Sequence, residues 1–305
     1  MDNTYRIYQI DAFTKTRFTG NPAGVVPEAA GLDEAQMQAI ARELNNSETA
    51  FILPPRGPGH DLHVRFFTPT TEVPVCGHAT IASHYVRAIE GTHVQGRVHQ
   101  LTGAGVLAVD VEPMAPGDFR IWMHQREPTF GAVLAGGHRQ ALLAALRLSD
   151  DDLGPGPIQI VSTGHSKVMV PLRDRVLLDA LAPDLGALSA LSRVIGCNGY
   201  HAFTLADPAP DTLAHARMFA PAIGIAEDPV TGNANGPLGA YLVLHRLVPP
   251  ALFHAGLVGW ISQGEAIGRP GRVKVEVSVD PANGQPTHVR IAGDAVVAFR
   301  GEIKL

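Results

Sequence analysis

A chain of 305 residues with 45% hydrophobic and 17% charged residues carries enough apolar material for a sizeable core, which excludes a disordered protein. A formal net charge of -5 with no basic cluster to offset it excludes the electrostatic footprint of a nucleic-acid binder. No apolar run approaches bilayer length and MDNTYRIYQIDAFT lacks the pattern of a signal peptide, so the expectation is a soluble cytoplasmic protein without membrane association.

In chain order, residues 5–10 and 24–26 read as short strands around DAFTKTRFTGNPAG, where Gly20, Asn21 and Pro22 supply turn chemistry. Leu32, Ala35, Ile40, Ala41 and Leu44 then give a helical stripe, opened by Asp33 with Gln36 three residues later in a capping arrangement. Pro54–Gly59 reads as a surface loop. Strands follow, then a small-residue-rich helix from His78 to about Ala88. VLAVDVE alternates like a half-buried antiparallel strand. A third helix is expected from Asp184 through Leu185, Leu188, Leu191 and Ile195 to Gly196, a fourth from Asn233 to about Leu247, and a final alternating strand in RVKVEVSVD. Pro208–Pro210 reads as another surface loop. Each half is therefore β-rich with a helix or two. The boundary falls between Pro113 and Pro128, giving units 1–120 and 121–305, with the C-terminal strand assignable to either half.

The two halves also repeat. EVPVCGHA (72–79) and EDPVTGNA (227–234) share E-x-P-V-x-G-x-A, and Arg65, Phe67 and Pro69 precede the first block as Arg217, Phe219 and Pro221 precede the second. Upstream, Asp33 corresponds to Asp184, Asn46 to Asn198, and Ala50-Phe51 to Ala202-Phe203, so the register holds over roughly one domain length.

In both blocks a glycine follows an extended segment and opens a helix. The unpaired N–H groups of such a start attract a carboxylate or phosphate. If the halves face each other about a pseudo-twofold axis, Gly77-His78 and Gly232-Asn233 converge on one cleft. Directional proton chemistry needs asymmetric groups, and the halves differ where it matters: Glu48 matches Tyr200, Cys76 matches Thr231, His78 matches Asn233, and Asp228 matches Val73. Glu48, His78 and Asp228 around a dry anion-binding cleft suit general acid/base catalysis. Each also has a plainer reading. Glu48 solvates the chain after the first helix, His78 caps its own helix, Asp228 bonds neighbouring N–H groups, and Cys76 is a small buried hydrophobe.

Other patterns lack context. Gly103-Ala104-Gly105 precedes an alternating strand where a dinucleotide fingerprint needs a helix, so a hairpin is expected. Gly164-His165-Ser166 lacks the closing glycine of a nucleophile elbow. His60 and His63 have no matching ligand cluster and read as part of a surface loop. Cys76 and Cys197 are the only cysteines, too few for a disulfide framework and without zinc-site spacing.

DAFT…F.GNPAGVV, ARELNNSETAFI, RFFTPTTEVPVCGHAT and RMFAPAIGIAEDPVTGNANGPLGAYL together resemble the PhzF-like isomerases, named for the phenazine biosynthesis enzyme, over essentially the whole chain. TGHSKVMVPL and IGCNGYHAF are similar to a bacterial subgroup, the YddE-type uncharacterised isomerases. The resemblance implies an α+β, diaminopimelate-epimerase-like fold of two pseudo-symmetric domains, each a mostly antiparallel curled sheet around a central helix. It also implies a homodimer and an isomerase acting on a small carboxylate-bearing metabolite with neither metal nor organic cofactor. By the same resemblance Glu48 is the catalytic proton carrier, and His78 and Asp228 bind or polarise the substrate; the helix starts at Gly77, Gly232 and Asn233, with Cys76 beside the first, complete the expected substrate-binding set. Diaminopimelate epimerases use a cysteine pair, and here Thr231 stands where the second cysteine would be, so two-cysteine racemisation is not expected. The alternative is a non-catalytic binding or interaction protein of the same fold.

Overall fold

The computed structural model describes residues 4–206, 211–250 and 255–305; the loop expected at Pro208–Pro210 lies outside the described residues. The chain forms two compact units, Met1–His124 with Ala292–Leu305, and Gln125–Ile291.

The first unit runs β1 (Thr4–Ala12), β2 (Asn21–Val26), α1 (Glu34–Leu44), β3 (Glu48–Leu53), β4 (Leu62–Phe67), β5 (Glu72–Val73), α2 (Gly77–Ile89), β6 (Gly96–Thr102), β7 (Gly105–Ala115) and β8 (Asp118–His124). The second runs β9 (Thr129–Val133), α3 (Gly136–Leu146), β10 (Gln159–Ser162), β11 (Ser166–Leu172), α4 (Arg175–Ala180), α5 (Leu185–Ile195), β12 (Tyr200–Thr204), β13 (Thr212–Ala220), β14 (Ile225–Asp228), α6 (Gly232–Leu244), β15 (Leu257–Gln263), β16 (Gly271–Val279) and β17 (Pro286–Gly293). The last strand, β18 (Ala295–Lys304), pairs antiparallel with β1 of the first unit, from Thr4↔Lys304 to Ala12↔Ala295.

The sequence repeat is a repeat of strand pairings. In the first unit β1 and β2 are antiparallel, β2 and β3 parallel, and β3 and β4 antiparallel. The far edge of β4 then carries β5 antiparallel and β6 parallel, and β6 pairs antiparallel with β7. The second unit reproduces this set in the same chain order with β10, β11, β12, β13, β14, β15 and β16. Each sheet is therefore mostly antiparallel with two parallel crossings, and each crossing between strands of one sheet is bridged by a helix.

Both faces of these strands are covered. In β3, Thr49 to Ile52 are all buried, the near-continuous burial of a strand packed on two sides. Outside the first sheet, Met37, Ile40 and Ala41 of α1 pack on Tyr5, Ile7, Val26, Phe51 and Phe67. On the other side lies α2, against β1, β2, β3, β7 and β8, with His78 to Val86 and Ala88 buried. A helix buried all round must be slim where it meets the sheet, which explains the run of alanine, threonine and serine along it. α6 repeats this role with Gly232 and Ala234 to Val243 buried, while α3, α4 and α5 cover the outer face through Leu142, Leu146, Leu178, Leu188 and Leu191.

Local signals explain the helix ends. Asp33 and Gln36 form a reciprocal capping box on α1, as the sequence implies, and Asp184 caps α5 by accepting from the Ala187 N–H. Gly196 closes α5 at φ +67°, where a side chain would be strained. α6 stops at Leu244, short of the expected Leu247, because Arg246 turns into the left-handed region at φ 54°. The hairpin expected at Gly103–Gly105 is present, with Thr102 paired to Gly105. Gly164–Ser166 is likewise a hairpin turn between β10 and β11. His63 corrects the surface-loop reading. It lies in β4, paired with Leu53 and Leu101 and buried, because LHVRFF is a strand covered on both faces. α3 was not expected; its buried Leu142, Leu143, Ala145 and Leu146 cluster at one end and make no regular stripe.

One close approach sets a stability expectation. A Cβ on Gly239 of α6 would lie 2.5 Å from Val275 Cγ1 and 3.1 Å from Val277 Cγ2. Alanine gains about 1 kcal/mol of helix propensity, but overpacking against two branched strand residues costs about 1–3 kcal/mol. Gly239→Ala should therefore lower the urea midpoint, and an unchanged or raised midpoint would show that the helix is not seated this tightly.

Candidate active site

In the first unit the candidate residues assemble from two chain turns. Asn45 ends α1 in the left-handed conformation, and three residues later Glu48 begins β3, held by its parallel pairing with Ala23 of β2. Cys76 is extended (φ -142°, ψ 125°), directly precedes α2 and makes no side-chain cap. The N–H groups at the start of α2 thus have no capping side chain and retain the partial positive charge of a helix start. His78, the second residue of that helix, is only 7% exposed. Its Nε2 lies 3.3 Å from Glu48 Oε2 and 3.1 Å from Ser47 Oγ, while its Nδ1 lies 3.4 Å from Cys76 Sγ. One donor atom from each of Glu48, Cys76 and His78 falls within 4.8 Å of the others. The hydrogen-bond partner of Nε2 is Ser47 Oγ, with the Glu48 carboxylate beside it as an ion-pair contact, and Nδ1 faces the thiol. A carboxylate in hydrogen-bond reach of a buried imidazole can hold and pass a proton.

In the second unit Asp228 ends β14, and Thr231, also extended and also without a side-chain cap, precedes α6. The Thr231 hydroxyl donates to Asp228 Oδ2 at 2.5 Å. Gln263, from β15, binds this turn together: its Nε2 donates to the Asp228 carbonyl (2.8 Å) and to Thr231 Oγ1 (3.0 Å), and its Oε1 accepts from Thr231 N (3.1 Å) and Asn235 Nδ2 (2.9 Å). Gln125 steadies the helix from another side, donating to the Gly232 carbonyl at 3.2 Å and accepting from Thr163 Oγ1 at 2.7 Å. Gly236 leaves room for Gln125, since a Cβ there would overlap its amide. Asn233 Oδ1 is buried without a hydrogen-bond partner among the described residues. Pro237 lacks an N–H, so the Asn233 carbonyl also loses its usual helical donor.

Glu48, Cys76, Gly77 and His78 thus fall together in the first unit, and Asp228, Gly232 and Asn233 fall together in the second. The residue opposite Glu48 in the repeat is tied down. Tyr200, in the place of Glu48, is fully buried, its hydroxyl donating to the Leu188 carbonyl at 2.9 Å and lying 3.0 Å from Ser192 Oγ. Burial pushes its phenol upward, so it serves packing and not proton transfer. Sequence reasoning missed Ser47, although it adjoins Glu48. It also missed Gln125, Asn235 and Gln263, and Lys167, a buried side chain whose ammonium is shifted downward by burial, with Cys197 and Asp228 acting in the opposite direction. Nothing local marks Gln263, since only the parallel pairing of β13 with β15 brings it to the turn.

Each central helix also carries a buried histidine–amide pair. His84 of α2 meets Gln100 Oε1 at 2.9 Å, and His201 of β12 meets Asn235 Oδ1 at 3.1 Å. The accepting amide oxygens put the proton on Nε2, and burial pushes both imidazoles down to about 3 from 6.5. The unfolded chain therefore binds protons that the folded chain refuses. Stability should be level above pH 6.5 and fall as pH drops towards 3, by up to about 1.4 kcal/mol per pH unit for each histidine. Between about pH 6.5 and 4.5 most carboxylates are still ionised in the unfolded chain, so the slope in that window belongs to histidines. Urea midpoints that stay flat across it would contradict neutral burial.

Two like units, each a mostly antiparallel sheet around a buried helix with an uncapped start, define the fold class of diaminopimelate epimerases and proline racemases. The family profile described as "Phenazine biosynthesis-like protein" (PhzC-PhzF) matches residues 10–301, and the chain belongs to that family as a PhzF-family isomerase. It is 53% identical over 307 residues to an uncharacterized isomerase of Clostridium acetobutylicum, with 100% of both chains covered. It is 49% identical over 300 residues to the uncharacterized isomerase YddE of Escherichia coli, with 97% of each covered. The trans-2,3-dihydro-3-hydroxyanthranilate isomerase of Pseudomonas fluorescens is 36% identical over 305 residues, covering 97% of this chain and 98% of that one. Among solved structures, a PhzF-family phenazine biosynthesis protein of Bacillus anthracis superposes with a TM-score of 0.86 at 31% identity, with 99% of both chains covered. A hydroxyproline epimerase of Agrobacterium vitis shares the fold at a TM-score of 0.62 and 13% identity, covering 99% of this chain and 93% of that one. No helix among the described residues is long and apolar enough to cross a membrane.

Proposed function

We propose that this isomerase moves a proton between carbons of a small carboxylate-bearing metabolite, with Glu48 as the proton carrier and without metal or organic cofactor. The observation that carries the reading is the Glu48 carboxylate 3.3 Å from the buried His78 imidazole, in a place where the repeat has a tied-down tyrosine. In the forward step Glu48 accepts a proton from carbon, leaving a delocalised carbanion. The proton exchanges with solvent while it is held on the Glu48 carboxylic acid, and Glu48 then delivers a proton to a different carbon, so the product has the formula of the substrate and Glu48 ends as a carboxylate. His78 holds the carboxylate and its proton in place, and Ser47 orients His78. Substrate binding is assigned to His78, Cys76 and the helix start at Gly77 in the first unit, and to Asp228, Gly232 and Asn233 in the second. Uncapped N–H groups at a helix start suit a carboxylate or similar anion. The substrate of the 36% identical Pseudomonas fluorescens isomerase, a dihydro-hydroxyanthranilate, has such a carboxylate, which supports the substrate class.

The test is incubation with cell metabolites in deuterated water. A compound that gains deuterium at carbon only when the protein is present supports the reading and names the substrate. A carboxylate ligand that binds without exchange favours a binding protein. The reading further takes the protein to be a cytosolic homodimer, consistent with Cys76 and Cys197 both being outside any disulfide. A monomer in sedimentation equilibrium would remove the dimer from it.

A further inference from the structure

Lys167 is a buried cation with unspent donors, and the fold of the second unit sets it at the start of α6. Along β11, Val168, Val170 and Leu172 join the apolar cluster under α3 and α5, so Lys167 points to the other face of the sheet, where α6 packs on β10 and β11. The two ends of α6 fix how it runs over that hairpin. Tyr241 Oη donates to the Pro157 carbonyl at 2.7 Å and His245 Nε2 lies 2.7 Å from Gln159 Oε1, at the open end of the hairpin. At the closed end Gln125 bridges the Gly232 carbonyl to Thr163, next to the Ser162↔Ser166 pair. Lys167 follows Ser166, so it lies beneath the first turn of α6 and not beneath its middle.

The side chain is built in. Its stem crosses Gly199, where a Cβ would come within 2.3 Å of Lys167 Cδ and 2.8 Å of Cε, and the residue is only 6% exposed. Among the described residues its ammonium makes one hydrogen bond, a long one of 3.3 Å to the adjoining Ser166 carbonyl, although it carries three donors. Burial pushes the ammonium down, and Cys197 and Asp228 oppose this from nearby. The Asp228 carboxylate is engaged by the Thr231 hydroxyl, and the N–H groups that open α6 have no side-chain cap.

We infer that Lys167 is a further substrate-binding residue, whose ammonium pairs with the substrate carboxylate received by the N–H groups of Gly232 and Asn233. The assignment rests on the proposed place of the α6 start in the substrate site. Charge-assisted bonds from an ammonium and a helix start act on the same anion, and the ammonium also offsets the repulsion that Asp228 would exert on a second carboxylate.

The probe is acetate, titrated at constant ionic strength into the full-length chain, with acetamide as the uncharged control. Acetate should move the Gly232 and Asn233 amide resonances and the Lys167 Cε resonance with one midpoint, and acetamide should move none of them. Lys167→Met should weaken acetate at least about tenfold, the effect of losing one hydrogen bond to a charged group, and should cost the same factor in an Asp228→Asn background. A loss confined to the chain that keeps Asp228 would make Lys167 only the counter-charge of that carboxylate and overturn the inference. A Lys167 Cε resonance that stays still while the amides move, or no saturable shift at all, also overturns it, and both are read on the parent chain should Lys167→Met not fold. In deuterium exchange, Lys167→Met should raise KM for the metabolite that the parent labels and leave kcat little changed. An acetate site that needs Lys167 in a chain that exchanges no hydrogen removes only the isomerase reading, and exchange with an unchanged KM in Lys167→Met removes only this inference.

Discussion

Glu48→Gln is expected to lose at least about a hundredfold in turnover while keeping its ligand affinity, because positioned general bases contribute about 10²–10⁴-fold and the amide cannot accept the proton. The substitution keeps the size of the side chain at the start of β3 and leaves an amide beside His78 Nε2, where the carboxylate now lies 3.3 Å away. Folding should be intact, since the strand is fixed by its backbone pairing with Ala23 and not by this side chain. The expected pattern is a fall in kcat with ligand dissociation little changed, measured by single-turnover kinetics and equilibrium binding on the same preparation. A variant that loses binding and keeps kcat would make Glu48 a substrate anchor.

The largest expected stability loss belongs to Arg217. Its guanidinium forks the Glu227 carboxylate at 2.9 and 2.7 Å and donates to the carbonyls of Leu178, Asp179 and Leu181 at the end of α4. The side chains of Arg217 and Glu227 are 9% and 13% exposed. Arg217→Ala would leave a buried carboxylate without its counter-charge and three carbonyls without a donor, a loss of about 3–5 kcal/mol. Arg217→Lys should recover little, because an ammonium cannot fork a carboxylate and reach the helix end together. The repeat provides the control. Arg65 makes the same fork to Glu72 at 2.7 and 2.6 Å, but its acidic partners Glu72 and Glu34 are 40% and 73% exposed, so Arg65→Ala should cost about 1 kcal/mol. Urea midpoints for the pair check this, and equal losses would mean that burial does not set the difference.

These two arginines also show what was legible in the sequence. Arg65, Phe67 and Glu72 recur as Arg217, Phe219 and Glu227 because each triple is one device. The arginine reaches along its strand to the glutamate of the short paired strand and lies 5.0 or 5.1 Å from the phenylalanine ring. Such local geometry leaves a readable spacing, as do the Asp33 and Asp184 caps and the glycines that open α2 and α6. Contacts made through sheet pairing leave none. Gln263 is 32 residues from Thr231, and its role at the α6 turn depends on β15 lying beside β13. Ser47 was hidden differently: its place beside Glu48 was plain, but its reach to His78, 31 residues away, depends on where α2 begins.

The most direct test of Glu48 as the proton carrier is solvent deuterium incorporation into one substrate by Glu48→Gln and Cys76→Ser, side by side with the parent chain and under metal-free conditions. Cys76 Sγ sits 3.4 Å from His78 Nδ1, so it is a rival base in the same cluster. Thr231 occupies the equivalent place in the repeat. Exchange reduced at least about a hundredfold in Glu48→Gln and only slightly in Cys76→Ser is the predicted result. Parent-like exchange in Glu48→Gln with none in Cys76→Ser would contradict it and make Cys76 the base.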